Sequence, residues 1–102
     1  MIGAVVIGER PESANETGCG KRWRNLFRVS YPLNRGVAVI VNGLPAPSGY
    51  EWLDALEFPC RESAEEAGQI AARTWNAELA GRGAGFISVE WREAVLVAGG
   101  EA

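Results

Sequence analysis

One stretch of this chain repeats its apolar residues at helical spacing. It runs from Ser63 to Ala80, with Pro59 before it and Gly81, Gly83 and Gly85 after it. Ala64, Ala67, Ala71, Trp75 and Leu79 fall on one side, and Glu65, Gln69, Arg73 and Asn76 turn toward water. Ser63-Ala64-Glu65-Glu66 matches a capping box, in which the serine hydroxyl takes an amide of the first turn and the glutamate reaches back. Gly68 costs about 1 kcal/mol relative to Ala in a helix interior. Set among small residues on the buried face, it predicts a close approach of this helix to a sheet. The other apolar segments read as strands, so the expected fold is an α+β domain spanning 1–102. It comprises a small antiparallel sheet of four to five strands with one main helix packed on one face.

Ile2 to Ile7 is apolar, rich in β-branched residues and closed by Gly8, with no basic stretch before it, and reads as a strand and not as a signal peptide. Arg10 to Lys21 is too polar and too rich in Gly and Pro to bury area, and is expected to be a surface loop. In Trp23 to Tyr31, the residues Phe27, Val29 and Tyr31 alternate with Arg28 and Ser30, the period that puts apolar side chains on one face of a strand. Pro32 to Gly36 has the composition of a reversal, and Val37 to Val41 is expected to return beside it as a hairpin. Asn42-Gly43 is read as an exit from the sheet, because Pro45 and Pro47 each lack a ladder donor. Tyr50 to Phe58 fits both an alternating strand, through Tyr50, Trp52, Leu56 and Phe58, and a helical turn, through Trp52, Leu53 and Leu56; the strand, ended by Pro59, is the preferred reading. In Phe86 to Val97, Ile87, Val89 and Trp91 alternate with Ser88, Glu90 and Arg92, until Glu93 falls where an apolar residue is due. A bulge or a reversal near Arg92 would account for that break. The expected core is Val5, Ile7, Phe27, Val29, Tyr31, Val39, Val41, Ala67, Ala71, Trp75, Ile87 and Val89.

The 102 residues are enough for one ordinary domain. No apolar run approaches the roughly 18 to 20 residues of a membrane span, so no membrane association is expected and the default location is cytoplasmic. Histidine is absent, aspartate occurs once, at Asp54, and there are two cysteines. A zinc site or a Ser-His-Asp triad cannot be assembled from that set within one chain. No catalytic residue, metal or cofactor is therefore expected.

Gly18-Cys19-Gly20-Lys21-Arg22 has the Gly-Lys of a phosphate-binding loop but lacks the earlier glycine, the Ser or Thr after the lysine, and a following helix. Cys19, between two glycines and beside Lys21 and Arg22, is the one candidate nucleophile, with no histidine to take its proton. Cys60 is read as a packing residue, and a Cys19 to Cys60 bond requires the loop to fold against the helix start.

Two surfaces carry the functional expectation. Asp54, Glu57, Glu62, Glu65 and Glu66 cluster around the helix start, where the macrodipole favours carboxylates whatever else they do. Four tryptophans exceed what a small core needs, so at least one of Trp23, Trp52 and Trp91 is expected to stand exposed as an interface anchor. Lys21, Arg22, Arg24, Arg28 and Arg35 interleave with Trp23, Phe27 and Tyr31, the mixture used by platforms for single-stranded nucleic acid. The formal charge of −3 and the thirteen acids against ten bases disfavour that second reading.

The leading expectation is a non-catalytic protein-protein interaction module whose partner is a larger protein or complex, including one with a basic nucleic-acid-binding groove. Its most concrete form is an inhibitor of a host defence complex, similar in role to anti-CRISPR proteins and carried by a phage or mobile element into the host cytoplasm. That form rests on class plausibility and on no motif. The alternative is a nucleic-acid-binding module using residues 21–35, followed by a virion or tail subunit and by a Cys19-dependent enzyme.

Overall fold

The computed structural model describes residues 4–7 and 21–98. Six strands and one long helix follow in the order β1 (Ala4–Ile7), β2 (Arg22–Ser30), β3 (Ala38–Val41), β4 (Leu44–Pro45), β5 (Tyr50–Leu53), α1 (Arg61–Gly81) and β6 (Ser88–Ala98). The class is α+β, but the strands form two three-stranded sheets instead of one sheet of four or five. One sheet has the order β5-β2-β6 and is antiparallel; the other has the order β1-β3-β4, with β1 and β3 parallel. The expected surface loop falls mostly on residues 8–20, outside the described residues.

The division explains why the expected hairpin of β2 with the Val37 to Val41 segment does not form. Both edges of β2 are occupied, Phe27 lying opposite Trp52 on β5 and Trp91 on β6. Pro32, a 3-10 turn at Leu33–Arg35 and Gly36 in the left-handed region (φ 72°) carry the chain away to pair with β1. The Asn42-Gly43 pair is a hairpin turn after all. Both residues have positive φ, 52° and 84°, the conformation that joins two strands through two residues. Pro45 is tolerated because β4 is a two-residue edge strand, and the next amide, Ala46 N, bonds the Val39 carbonyl at 2.8 Å.

β5 ends at Leu53, short of Phe58, because Asp54 folds the chain back. Its carboxylate accepts the Leu56 amide at 3.3 Å while its own amide bonds the Asn25 carbonyl at 2.8 Å. Phe58 returns to β2 through reciprocal backbone bonds with Trp23 of 2.8 and 2.9 Å. Of the two expected causes of the break near Arg92, β6 has the bulge and not the reversal: Phe27 faces Trp91 and Leu26 faces Glu93, leaving Arg92 as the extra residue.

α1 covers the inner face of β2 and β6 with Ala64, Gly68, Ala71, Ala72, Trp75 and Leu79. The close approach implied by Gly68 is present. A Cβ there would stand 2.4 Å from Trp91 Cδ1 and 2.8 Å from Asn25 Cγ. The core centres on Phe27, whose ring meets Trp75 edge-on at 5.0 Å and lies 5.6 Å from Trp52. Ile7, Val39 and Val41 of the second sheet join the same cluster. Of the expected core, Val5, Tyr31 and Ala67 are only partly buried. Tyr31 instead ties the sheets together, its hydroxyl donating to the Ala46 carbonyl and its amide to Ser48 Oγ.

The helix begins two residues before the expected cap. Cys60 is extended (φ −144°) and its carbonyl accepts the first helical bond, from Ala64 N at 3.2 Å, so Cys60 and not Ser63 is the N-cap. Asn76 also departs from expectation, since it turns inward and bonds the backbone of Val89.

Candidate interaction surface

The outer face of the β5-β2-β6 sheet follows from the alternation in β2. Asn25, Phe27 and Val29 are buried against the helix, so Arg22, Arg24, Leu26 and Arg28 face outward. Cross-strand register sets Arg28 opposite Glu51 on β5 and Glu90 on β6. The bulge adds Arg92 to the same face. Arg28 then lies 4.0 Å from Glu51 and 3.8 Å from Glu90, while Arg92 lies 3.6 Å from Glu51 and 3.0 Å from Glu90. Two guanidiniums and two carboxylates thus form a closed array across three strands. Single exposed pairs contribute about 0 to 1 kcal/mol, but together these arrangements commit the arginines.

The other basic candidates are dispersed. Arg22 is 3.3 Å from Glu57, and Arg24 donates from Nε to the Asp54 carbonyl at 2.6 Å. Lys21 precedes β2 and is exposed, and Trp23 is partly buried at the bridge to Phe58. Arg35 sits on the 3-10 turn with its guanidinium 4.5 Å over the Phe86 ring. A phosphate backbone tracking β2 would have to displace carboxylates from Arg22 and Arg28. This removes much of the support for the nucleic-acid expectation.

Of the acidic candidates, Asp54 is 4% exposed and belongs to the turn after β5. Trp52 is 5% exposed, inside the aromatic cluster, because its cross-strand partner Phe27 and the helix residue Trp75 close over it. Neither is a surface anchor. Trp91 is half-buried against Gly68, and its indole N–H donates to Asn25 Oδ1 at 2.9 Å. Glu57 is paired with Arg22 and Glu65 with Arg61, the latter at 3.0 Å. Glu62 and Glu66 are exposed and make no ion pair among the described residues.

One residue that composition did not single out completes this surface. Ile70 is 48% exposed, the large apolar side chain that α1 leaves in solvent, as the strands and turns leave Val6, Leu33 and Leu44. It follows Glu62 and Glu66 at the spacing of successive helical turns, so the three share one outward row of α1. That spacing is legible in the sequence, since the buried row through Ala64, Ala71, Trp75 and Leu79 leaves Ile70 outside it.

At the same helix end, Cys60 is a free, exposed thiol and not a packing residue. Its Sγ is 3.0 Å from Ser63 Oγ. Hydrogen bonds from the Ser63 hydroxyl and then the Ser63 amide lower its pKa below the ordinary thiol value. Cys19 and the Gly-Lys segment lie largely outside the described residues.

Among the described residues, no group of three potential ligands is arranged to hold a metal, and no helix is long and apolar enough to cross a membrane. Comparison with family models, with curated proteins and with solved structures returns no match to this chain.

Proposed function

We propose that the protein is a non-catalytic protein-binding module that presents the solvent face of α1 to a basic surface on a larger partner. The observation that carries this reading is the row Glu62, Glu66 and Ile70: two carboxylates without counter-ions among the described residues, continued by an exposed apolar side chain. Uncompensated charge steers encounter, and desolvation of an apolar side chain slows dissociation, so the row contains both elements of a docking surface. The concrete form of this reading is an inhibitor that occupies the basic, nucleic-acid-binding groove of a host defence complex. The arginines of the sheet do not compete for this role, because they are engaged by Glu51, Glu57 and Glu90.

The test is capture of partners from nuclease-treated host lysate on the immobilised chain, followed by binding kinetics with the captured protein. Glu62→Lys with Glu66→Lys is expected to slow association and flatten its salt dependence, and Ile70→Ala to speed dissociation. A partner whose rates ignore both variants overturns the assignment to α1, and capture that disappears with nuclease favours nucleic acid instead.

A further inference from the structure

A cleft of about 480 Å³ lies far from the Glu62 row, at the other end of α1. With a rise of about 1.5 Å per residue, the helix separates Glu62 from Arg82 by about 30 Å. Val5 of β1, Asn34 and Arg35 of the 3-10 turn, Val37, Arg82 and Gly83 at the helix end, Ala84 and Phe86 line it. Its volume is that of a small-ligand site, within the usual range of about 300 to 1,000 Å³.

The chemistry of the lining is unusual for this molecule. Arg22, Arg28, Arg61 and Arg92 each face a glutamate, and Arg24 bonds a carbonyl. Lys21, Arg35, Arg73 and Arg82 have no carboxylate within ion-pair distance among the described residues, and of these Arg35 and Arg82 line one cleft together in a chain with a formal charge of −3. Phe86 holds the Arg35 guanidinium from its ring face and leaves the planar edge of that group free to donate hydrogen bonds from its N–H groups. Asn34 adds an amide on the same turn, and Val5, Val37 and Phe86 supply apolar wall.

The helix end discriminates between anions. α1 presents its C-terminus here, which carries a partial negative charge, and not the N-terminal amides that hold phosphates. That end opposes any anion, and a dianion more strongly than a monoanion, so the better match is a singly charged planar group whose two oxygens are paired by the guanidiniums. We propose that this cleft binds a carboxylate carried on an apolar or aromatic body, with Arg35 and Arg82 as its charge partners. Such a group occurs both on small organic acids and at the C-terminus of a polypeptide ending in an apolar residue.

The experiment is an NMR titration of the full chain with 3-phenylpropionate, its uncharged amide, inorganic phosphate, and an N-acetylated peptide ending in phenylalanine with a free or an amidated terminus. The expected result is saturable shifts at Asn34, Arg35, Val37, Gly83 and Phe86. Affinity should fall at least tenfold for the uncharged amide and at least tenfold in Arg82→Ala, whose fold is checked by circular dichroism. Arg82→Lys keeps the charge but not the paired N–H geometry, and should lie between. Tighter binding of the free-terminus peptide than of 3-phenylpropionate assigns the ligand to a polypeptide terminus, and the reverse order assigns it to a small acid; either supports the cleft. Phosphate binding as tightly as the carboxylates, equal binding of acid and amide, or no shift at these residues with 20 mM acid overturns the proposal.

Discussion

Gly68 and Trp91 are in direct contact across the interface between α1 and β6, the indole lying where a side chain on residue 68 would stand. A methyl group there would be 2.4 Å from Cδ1 and 2.6 Å from Nε1 of an indole that Asn25 holds by a hydrogen bond. Ala is worth about 1 kcal/mol more than Gly in a helix interior, but overpacking costs typically 1 to 3 kcal/mol. Gly68→Ala should therefore fail to stabilise and should cost up to about 2 kcal/mol in urea unfolding. Gly81→Ala, with nothing within 4 Å of the new methyl, should be neutral or stabilising by up to about 1 kcal/mol. Stabilisation by both changes would mean that α1 stands off the sheet.

Trp75 closes the aromatic core, 5.0 Å from Phe27 and 6.1 Å from Trp52. Trp75→Ala should cost about 3 to 5 kcal/mol, a large part of the stability of a domain this size, and should reduce the near-ultraviolet circular dichroism of the remaining aromatics. A melting temperature within a degree or two of the parent would contradict the placement of that ring.

Asn76 acts on the free edge of β6. Its amide donates to the Val89 carbonyl at 2.9 Å, and its Oδ1 accepts the Val89 amide at 2.8 Å, in place of a neighbouring strand that Val89 lacks on that side among the described residues. Asn76→Ala should cost about 1 to 3 kcal/mol by leaving two partly buried backbone groups unpaired. It should also uncover a strand edge, so sedimentation should show concentration-dependent self-association absent from the parent. A variant that is less stable yet strictly unchanged in mass would separate the two effects.

Cys60 gives a pH-dependent readout. Ser63 stabilises the thiolate, so the folded chain deprotonates below the ordinary value of 9.0. The associated stability is fully present above the unfolded pKa and is lost as pH falls through the folded one. In a Cys19→Ser background, the alkylation rate should rise at lower pH in the folded chain than in urea. Ser63→Ala should move that profile upward while changing stability by no more than about 0.5 kcal/mol. A loss near 1 kcal/mol would restore Ser63 as the helix cap.

These contacts show which parts of the molecule were legible in the sequence. The alternation of Phe27, Val29 and their polar neighbours, the helical row ending at Leu79, and the misplaced Glu93 all express local geometry, which periodicity reports directly. Pairing is a tertiary choice. Nothing local to Val37 to Val41 specifies that it lies parallel to β1 and not beside β2, whose two edges are filled by strands from later in the chain. Trp52 was misplaced for the same reason, since its burial depends on Phe27 across the strand and Trp75 from the helix. The commitment of Arg28 to Glu51 and Glu90 required the register of three strands. The cleft between Arg35 and Arg82 joins residues 47 positions apart, beyond the reach of any spacing rule.

The bulge in β6 makes Arg92 a surplus residue in the counting of the strand. Glu90, Arg92 and Glu93 share the outer side, while Trp91 and Ala94 keep the inner one. Without Arg92, the sequence Glu90-Trp91-Glu93-Ala94 alternates without interruption, and every side chain beyond it keeps its face. This strand is therefore readable in two lengths. The longer one adds a guanidinium to the charged array at the cost of local regularity, and a lineage could gain or lose it in a single-codon event without reversing the rest of the strand.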